Sequence, residues 1–336
     1  MDEVQFIDTH AHLDDPRFDP DRGLVIKRAR EAGLKTIISV GCWRRDTGFD
    51  PVAALLKEYD FLETALGVHP HDAKDFASDD PFKAIARLAT ELTAKGRSRV
   101  VAIGETGLDY HYDNSPREVQ KEVFAKHIRF ARELGLPLII HTREAEDDTL
   151  EVMKAEGAYE VGGVFHCFSG SLRLAEEALK MGFYLSFTGV VTYPNAAALR
   201  EVVKAVPIES MLVETDCPYL PPAPERGKRN EPSFIVRTAE KIAEIKGLSL
   251  NDVARITASN AEELFGLKKR ETARIAYPIR NSLYLNITNR CTNYCTFCAK
   301  FKSYTVKGHY LRLGTEPTFE EVLSAVGDDP MKYDEI

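Results

Sequence analysis

Six side chains able to hold a divalent metal stand at the ends of short apolar runs: His10 and His12 in "DTHAH", Glu105 in "GETGLDYH", His141 in "LPLIIH", His166 in "GGVFH" and Asp216 in "ETDCP". Imidazole nitrogens and carboxylate oxygens are the donors of Zn, Mn and Mg sites. His10 and His12 are two residues apart, so along an extended chain both rings point the same way. One histidine at the end of one run is ordinarily a packed or hydrogen-bonded residue. Five such ends together argue for a shared metal centre, provided the fold brings them to one place. A second set lies far along the chain: Cys291, Cys295 and Cys298 in "NRCTNYCTFCAK", spaced CxxxCxxC, whose thiolates suit an iron–sulfur cluster.

The elements that must position the first set are readable as alternating short β-branched runs and amphipathic stretches. Eight strands are predicted, at 4–8, 36–40, 62–66, 100–104, 136–141, 162–166, 183–187 and 211–215. Their nearly continuous apolar character is that of a parallel sheet covered on both faces. Between them lie helical patterns such as 117–135, with Val119, Val123, Phe124, Ile128 and Ala131 on one face and Gly135 as a stop. Eight βα units fit a (β/α)8 TIM barrel, usually about 250 residues long, better than a doubly wound open sheet, whose GxGxxG signature is absent. Segments 232–247 and 249–266 would close the barrel, the second opening on a near capping box, Ser249 with Asp252. In such a barrel the strand C-termini share one rim, which is where the six candidate ligands fall.

Composition narrows the setting. The chain has 336 residues, 44% hydrophobic and 29% charged, with no apolar run long enough to span a bilayer and an acidic start unlike a secretory signal. A cytoplasmic protein is expected, with no membrane partner; a monomer is compatible with the sequence. Six cysteines are too few for a disulfide scaffold. The net charge of −8 argues against indiscriminate nucleic-acid binding, although Lys268–Arg312 holds ten basic residues against Glu271 alone.

The ordered motifs "FIDTHAHLDD", "GVHPHDA", "AIGETGLDYHYD", "PLIIHTREA", "GVFHCFSGS", "VETDCPYLPPAP", "RNEPSFI" and "SNAEELFG" resemble those of the TatD family of metal-dependent hydrolases, an amidohydrolase-like barrel type, over residues 4–267. The resemblance implies two divalent ions (Zn, Mn or Mg). His10, His12 and Asp216 would hold one, His141 and His166 the other, and Glu105 would bridge them. It also implies a water nucleophile, with Asp216 as general base. Asp8 or Asp14 could orient an imidazole ligand. For a phosphate, His69, Arg143, Arg229 and Asn230 are the candidate contacts, with His71 and His111 on the rim. The activity implied is a TatD-like deoxyribonuclease or exonuclease acting on DNA or oligonucleotide ends, since no basic-aromatic groove for long strands is evident in the sequence. An amide or ester hydrolase on a small molecule, and a carrier for redox chemistry in the C-terminal piece, are the alternatives.

The organisation expected is a barrel over 1–267, a basic linker over 268–282 and a segment over 283–336. "SLYLNITNRCTNYCTFC" resembles the opening of a radical SAM domain, in which Cys291, Cys295 and Cys298 would ligate a [4Fe-4S] cluster that meets S-adenosylmethionine. A zinc knuckle needs a fourth ligand, for which only His309 is near. One strand, one loop and the helix in 317–327 cannot bury a core of their own, so the segment is expected to be an incomplete part of a longer fusion.

Overall fold

Eight short runs buried on both faces produce a single parallel sheet: β1 (Phe6–Ala11), β2 (Leu34–Cys42), β3 (Leu62–Gly67), β4 (Val100–Asp109), β5 (Leu138–Arg143), β6 (Gly163–Phe165), β7 (Phe183–Phe187) and β8 (Met211–Val213). Neighbours in sequence are neighbours in the sheet throughout, as βα crossovers require. The computed structural model describes residues 5–75, 80–94, 96–267, 273–291, 304–327 and 329–336. Between and after the strands run α1 (Arg22–Glu31), α2 (Asp50–Glu58), α3 (Asp80–Glu91), α4 (Arg117–Leu134), α5 (Glu146–Ala155), α6 (Leu172–Lys180), α7 (Ala197–Ala205), α8 (Ile235–Lys246) and α9 (Leu250–Leu264). The fold is the expected (β/α)8 barrel.

The two faces of each strand pack differently. Phe6, Ile37, Leu62, Val100, Leu138 and Phe183 pack outward with the helices, whereas Ile7, Ile38, Val40, Ala65, Ala102, Ile139, Val164 and Leu212 fill the interior. Ala258, Ala261 and Phe265 of α9 and the turn after it join that inner cluster and plug the end opposite the strand C-termini. Ser249 caps α9 by accepting from Asp252 N–H, while Asp252 meets the Ser249 hydroxyl at 2.8 Å and not its backbone, so only half of a capping box forms.

Closure between β8 and β1 is made at the C-terminal rim. Asp216 N–H donates to the His10 carbonyl at 2.9 Å and His12 N–H to the Cys217 carbonyl at 2.8 Å. Asp8 adds a buried side-chain tie, accepting from Thr215 N–H at 3.0 Å and from its hydroxyl at 2.6 Å. The register shifts between Asp8 and Ala11 and between Ile103 and Thr106. Such irregularities re-aim side chains, and here they bracket His10 and Glu105.

Past the barrel, β9 (Ala276–Ile279) pairs antiparallel with β10 (Ser282–Leu285), β11 (Thr305–Val306) pairs with β12 (His309–Tyr310), and α10 (Phe319–Val326) follows, capped by Thr318 and Glu321. The stretch expected to be linker therefore contains a strand, which its proline had obscured; Pro278 sits in a two-stranded ladder that leaves edges free. This tail is attached to the plugged end of the barrel. Lys307 pairs with Glu209, just before β8, and Gly308, at φ 77°, lies so close to α9 that a Cβ would stand 2.9 Å from the Arg255 carbonyl.

Candidate metal centre

Glu105 lies within β4, not at its end as the sequence suggested, because the polar run "ETGLD" continues the strand to Asp109. Gly107 makes this possible: a Cβ there would be 2.0 Å from the His141 carbonyl of β5. The carboxylate of Glu105 stands in the middle of two groups of donors. Its Oε2 faces His10 Nε2 at 3.4 Å and His12 Nε2 at 3.7 Å, and Asp216 Oδ1 completes that group at 3.8 and 3.5 Å from the same nitrogens. Its Oε1 faces His166 Nε2 at 2.7 Å, His141 Nδ1 at 2.9 Å and His69 Nε2 at 3.4 Å. The triads His10, His12, Glu105 and His69, Glu105, His141 each offer ligand atoms within 4.8 Å of one another. A third group, His10, His166 and Glu214, meets the same limit, and these borderline nitrogen and hard oxygen donors fit a divalent cation.

The ligand rings are held by groups the sequence reading had not singled out. His141 Nε2–H donates to Asp109 Oδ2 at 3.0 Å, leaving Nδ1 for the centre, and His71 meets the same oxygen at 3.1 Å. His12 Nδ1–H donates to the Val40 carbonyl at 3.2 Å. Glu214 Oε1 lies 3.3 Å from His166 Nδ1. Asp109 is four residues after Glu105 on the same strand, a position that shares its face, and that periodicity was the available signal for it; Glu214 follows the end of β8 and carried no such signal. Asp8 and Asp14, the expected orienting acids, act elsewhere: Asp8 ties the barrel seam, and Asp14 accepts from Arg44 at 2.7 Å.

Charge explains the protonation pattern. Burial opposes ionisation of Glu105, but His166 and His69 outweigh it and hold the carboxyl well below the usual carboxylate range. Asp216 is likewise lowered, burial being overcome by His12, His166 and His10. His12 is pushed up to about 9, against burial, by Asp216 and Glu105. His141 rises through Asp109 and Glu105, and His166 well above its ordinary value through Glu105 and Glu214. Burial keeps His10 and His69 low. Buried carboxylates here draw positive charge onto their histidines, and a bound cation would supply it instead, displacing those protons.

The expected phosphate contacts part company. His69, in the loop after β3, brings its Nε2 to 3.4 Å from Glu105 Oε1, beside the candidate metal donors. Arg229 is engaged by the Arg17 carbonyl and by Asp21 at 2.7 Å, and Asn230, 1% exposed, donates to the Thr215 and Tyr219 carbonyls. Both brace the loop after β8; the buried Asn230 amide is spent on those two carbonyls, while Arg229 keeps part of its guanidinium fork unengaged. Arg143 is exposed and lies over the Tyr112 ring at 4.8 Å. His111 pairs at the surface with Glu144 at 2.7 Å. In the tail, Cys291 is exposed, Cys295 and Cys298 lie outside the described residues, and His309 is turned inward, its Nε2–H donating to the Pro278 carbonyl at 3.0 Å.

Comparisons with known proteins agree with the centre's composition. The family model described as TatD related DNase matches residues 7–266. An uncharacterized metal-dependent hydrolase of Bacillus subtilis, YabD, is 47% identical over 258 residues, covering 77% of this chain and 98% of the relative. A protein of Citrobacter rodentium named 3'-5' ssDNA/RNA exonuclease TatD is 33% identical over 77% of this chain and 97% of its own length. The crystal structure of YJJV, a TatD homolog from Escherichia coli, superposes with a TM-score of 0.72 at 32% identity over 79% of this chain and 99% of that one. The chain is a metal-dependent hydrolase and belongs to the TatD related DNase family.

Proposed function

We propose that the chain hydrolyses phosphodiester bonds at the ends of DNA or short oligonucleotides, using two divalent ions on either side of Glu105. The observation that carries this reading is the division of the Glu105 carboxylate, one oxygen toward His10 and His12 and the other toward His141, His166 and His69. The exonuclease named among the relatives supports the choice of phosphodiester. When bound, such ions supply Lewis acidity and bring a water's pKa toward neutrality. Asp216, held ionised beside His10 and His12, accepts the proton of the attacking water. Asp109 and the Val40 carbonyl keep the His141 and His12 rings from rotating, so their free nitrogens stay aimed at the centre. The acidic chain disfavours tracking along a duplex, which fits action at strand ends.

For the tail we propose a segment over 283–336, joined to the barrel through 268–282 and its strand β9, in which Cys291, Cys295 and Cys298 bind a [4Fe-4S] cluster of radical SAM type. Its support is the cysteine spacing alone. No helix among the described residues is long and apolar enough to cross a membrane, in keeping with a cytoplasmic enzyme.

The test is turnover of short single-stranded DNA by protein stripped with chelator and reloaded with Zn, Mn or Mg. Metal-restored cleavage is expected. A protein that cleaves amide or carboxylic-ester substrates but no phosphodiester under any metal overturns the reading.

A further inference from the structure

Two tyrosines project from the rim on opposite sides of the metal centre, and each is stacked by an arginine. On the β1–β8 side, Arg17 lies 4.2 Å from the Tyr219 ring, and that ring stands edge-on to His12 at 6.0 Å. On the β4–β5 side, Arg143 lies 4.8 Å from the Tyr112 ring, which stands edge-on to His71 at 5.3 Å. Tyr219 is 47% and Tyr112 56% exposed, large values for aromatic rings beside a buried polar centre.

Both rings are tied to the centre through the backbone. Tyr112 N–H donates at 2.9 Å to Asp109, the carboxylate that also fixes His141. Tyr219 N–H donates at 2.9 Å to the Asp216 carbonyl. Arg17 is itself held by two bonds to Asp15, at 2.8 and 2.9 Å. Arg143 forms no ion pair among the described residues, so its guanidinium keeps its donors for an anion.

We infer that Tyr219 and Tyr112 are stacking platforms for nucleobases on either side of the bond to be cut, with Arg143 meeting the neighbouring phosphate. This rests on the phosphodiesterase reading and deepens it by assigning the side chains that would grip the strand through the faces of its bases. A base in a duplex is already stacked and offers no free face. Because every base has a π-face, the platforms read strandedness and not sequence.

The test compares cleavage of a short oligothymidylate with cleavage of the same strand carrying abasic tetrahydrofuran units at its ends, using metal-loaded full-length protein. Stacking predicts that wild type prefers the intact strand by about tenfold or more in kcat/KM. Tyr112→Ala and Tyr219→Ala should each erase part of that preference by raising KM, with the rate on the abasic strand unchanged, while Tyr112→Phe and Tyr219→Phe retain it. Equal cleavage of both strands by wild type, or alanine variants that slow both strands alike, overturns the inference. If wild type cleaves neither strand, the hydrolysis reading fails by itself. Anisotropy of the same labelled strands then decides the platforms: they stand if only intact-strand binding weakens in the alanine variants, and fall if it does not.

Discussion

The rim of the barrel and the tail behind it both carry residues whose spacing suggests metal chemistry, yet they are built in opposite ways. At the rim, every donor is fixed by an element that the core holds in place. Glu105 is inside a strand with neighbours on both sides, His10 and Asp216 share the seam that closes the barrel, and Asp109 locks His141. In the tail, the described elements are short hairpins and one helix. Tyr277, Leu283, His309 and Leu313 are buried there, but α10 buries none of its residues, and Phe319 and Leu323 are 71% and 54% exposed. Chemistry needs ligands held in position before the ion arrives, and only the barrel provides that among the described residues.

That contrast can be broken most severely at the rim. Replacing Asp216 by Asn should lower kcat by about 10²–10⁴-fold if it accepts the water's proton, with metal content checked in parallel by elemental analysis. Asp109→Asn comes next. It removes the charge that strengthens the His141 Nε2–H bond and should weaken metal affinity or activity by about 10–100-fold, and a calorimetric titration with wild-type affinity would show that Asp109 merely packs.

The barrel also stores an acid sensitivity away from the centre. His127, fully buried on α4, donates from Nδ1 to the Val123 carbonyl at 2.7 Å and accepts from Val68 N–H at its Nε2 at 3.0 Å. Burial pushes its pKa down to about 4 from an ordinary 6.5. Below 6.5 the unfolded chain takes up a proton that the folded one refuses. The contribution is therefore complete above pH 6.5 and is lost as pH falls toward 4, on the order of 3 kcal/mol in all. Urea midpoints at neutral and acidic pH check this, and His127→Gln should flatten the slope. His309, held down to about 4 by burial and Arg255, has the same sign in the tail. Its protonation should release the tail to proteases without unfolding the barrel. The smallest effect is expected from ending the chain after Leu267. The match to the TatD related DNase family ends at residue 266, and removal of the tail should leave kcat on oligonucleotides unchanged. A large drop would join the two regions functionally.

The barrel was legible because its strands are apolar on both faces and its helices end on clear signals, as at Gly135, which adopts φ 64° after α4. One strand, 183–187, matched at both ends and six needed only shifted ends. The eighth, β4, ran five residues further than apolar character indicated, since "ETGLD" stays extended through packing and glycine and not through hydrophobicity. The same error hid Asp109. Local spacing found the residues at strand ends but could not separate His69, which joins the centre, from Arg229 and Asn230, which brace a loop. His69 follows the third strand while Arg229 and Asn230 lie in the loop after the eighth, and only the closing of the barrel brings the first to Glu105.

The most direct test of the account is the number of divalent ions bound per chain, measured by calorimetry and elemental analysis on wild type and Glu105→Gln. Two ions on wild type, with both sites weakened together by the substitution, are predicted from the shared carboxylate. A single ion on wild type, or a Glu105→Gln protein that still binds two with undiminished affinity, would contradict it.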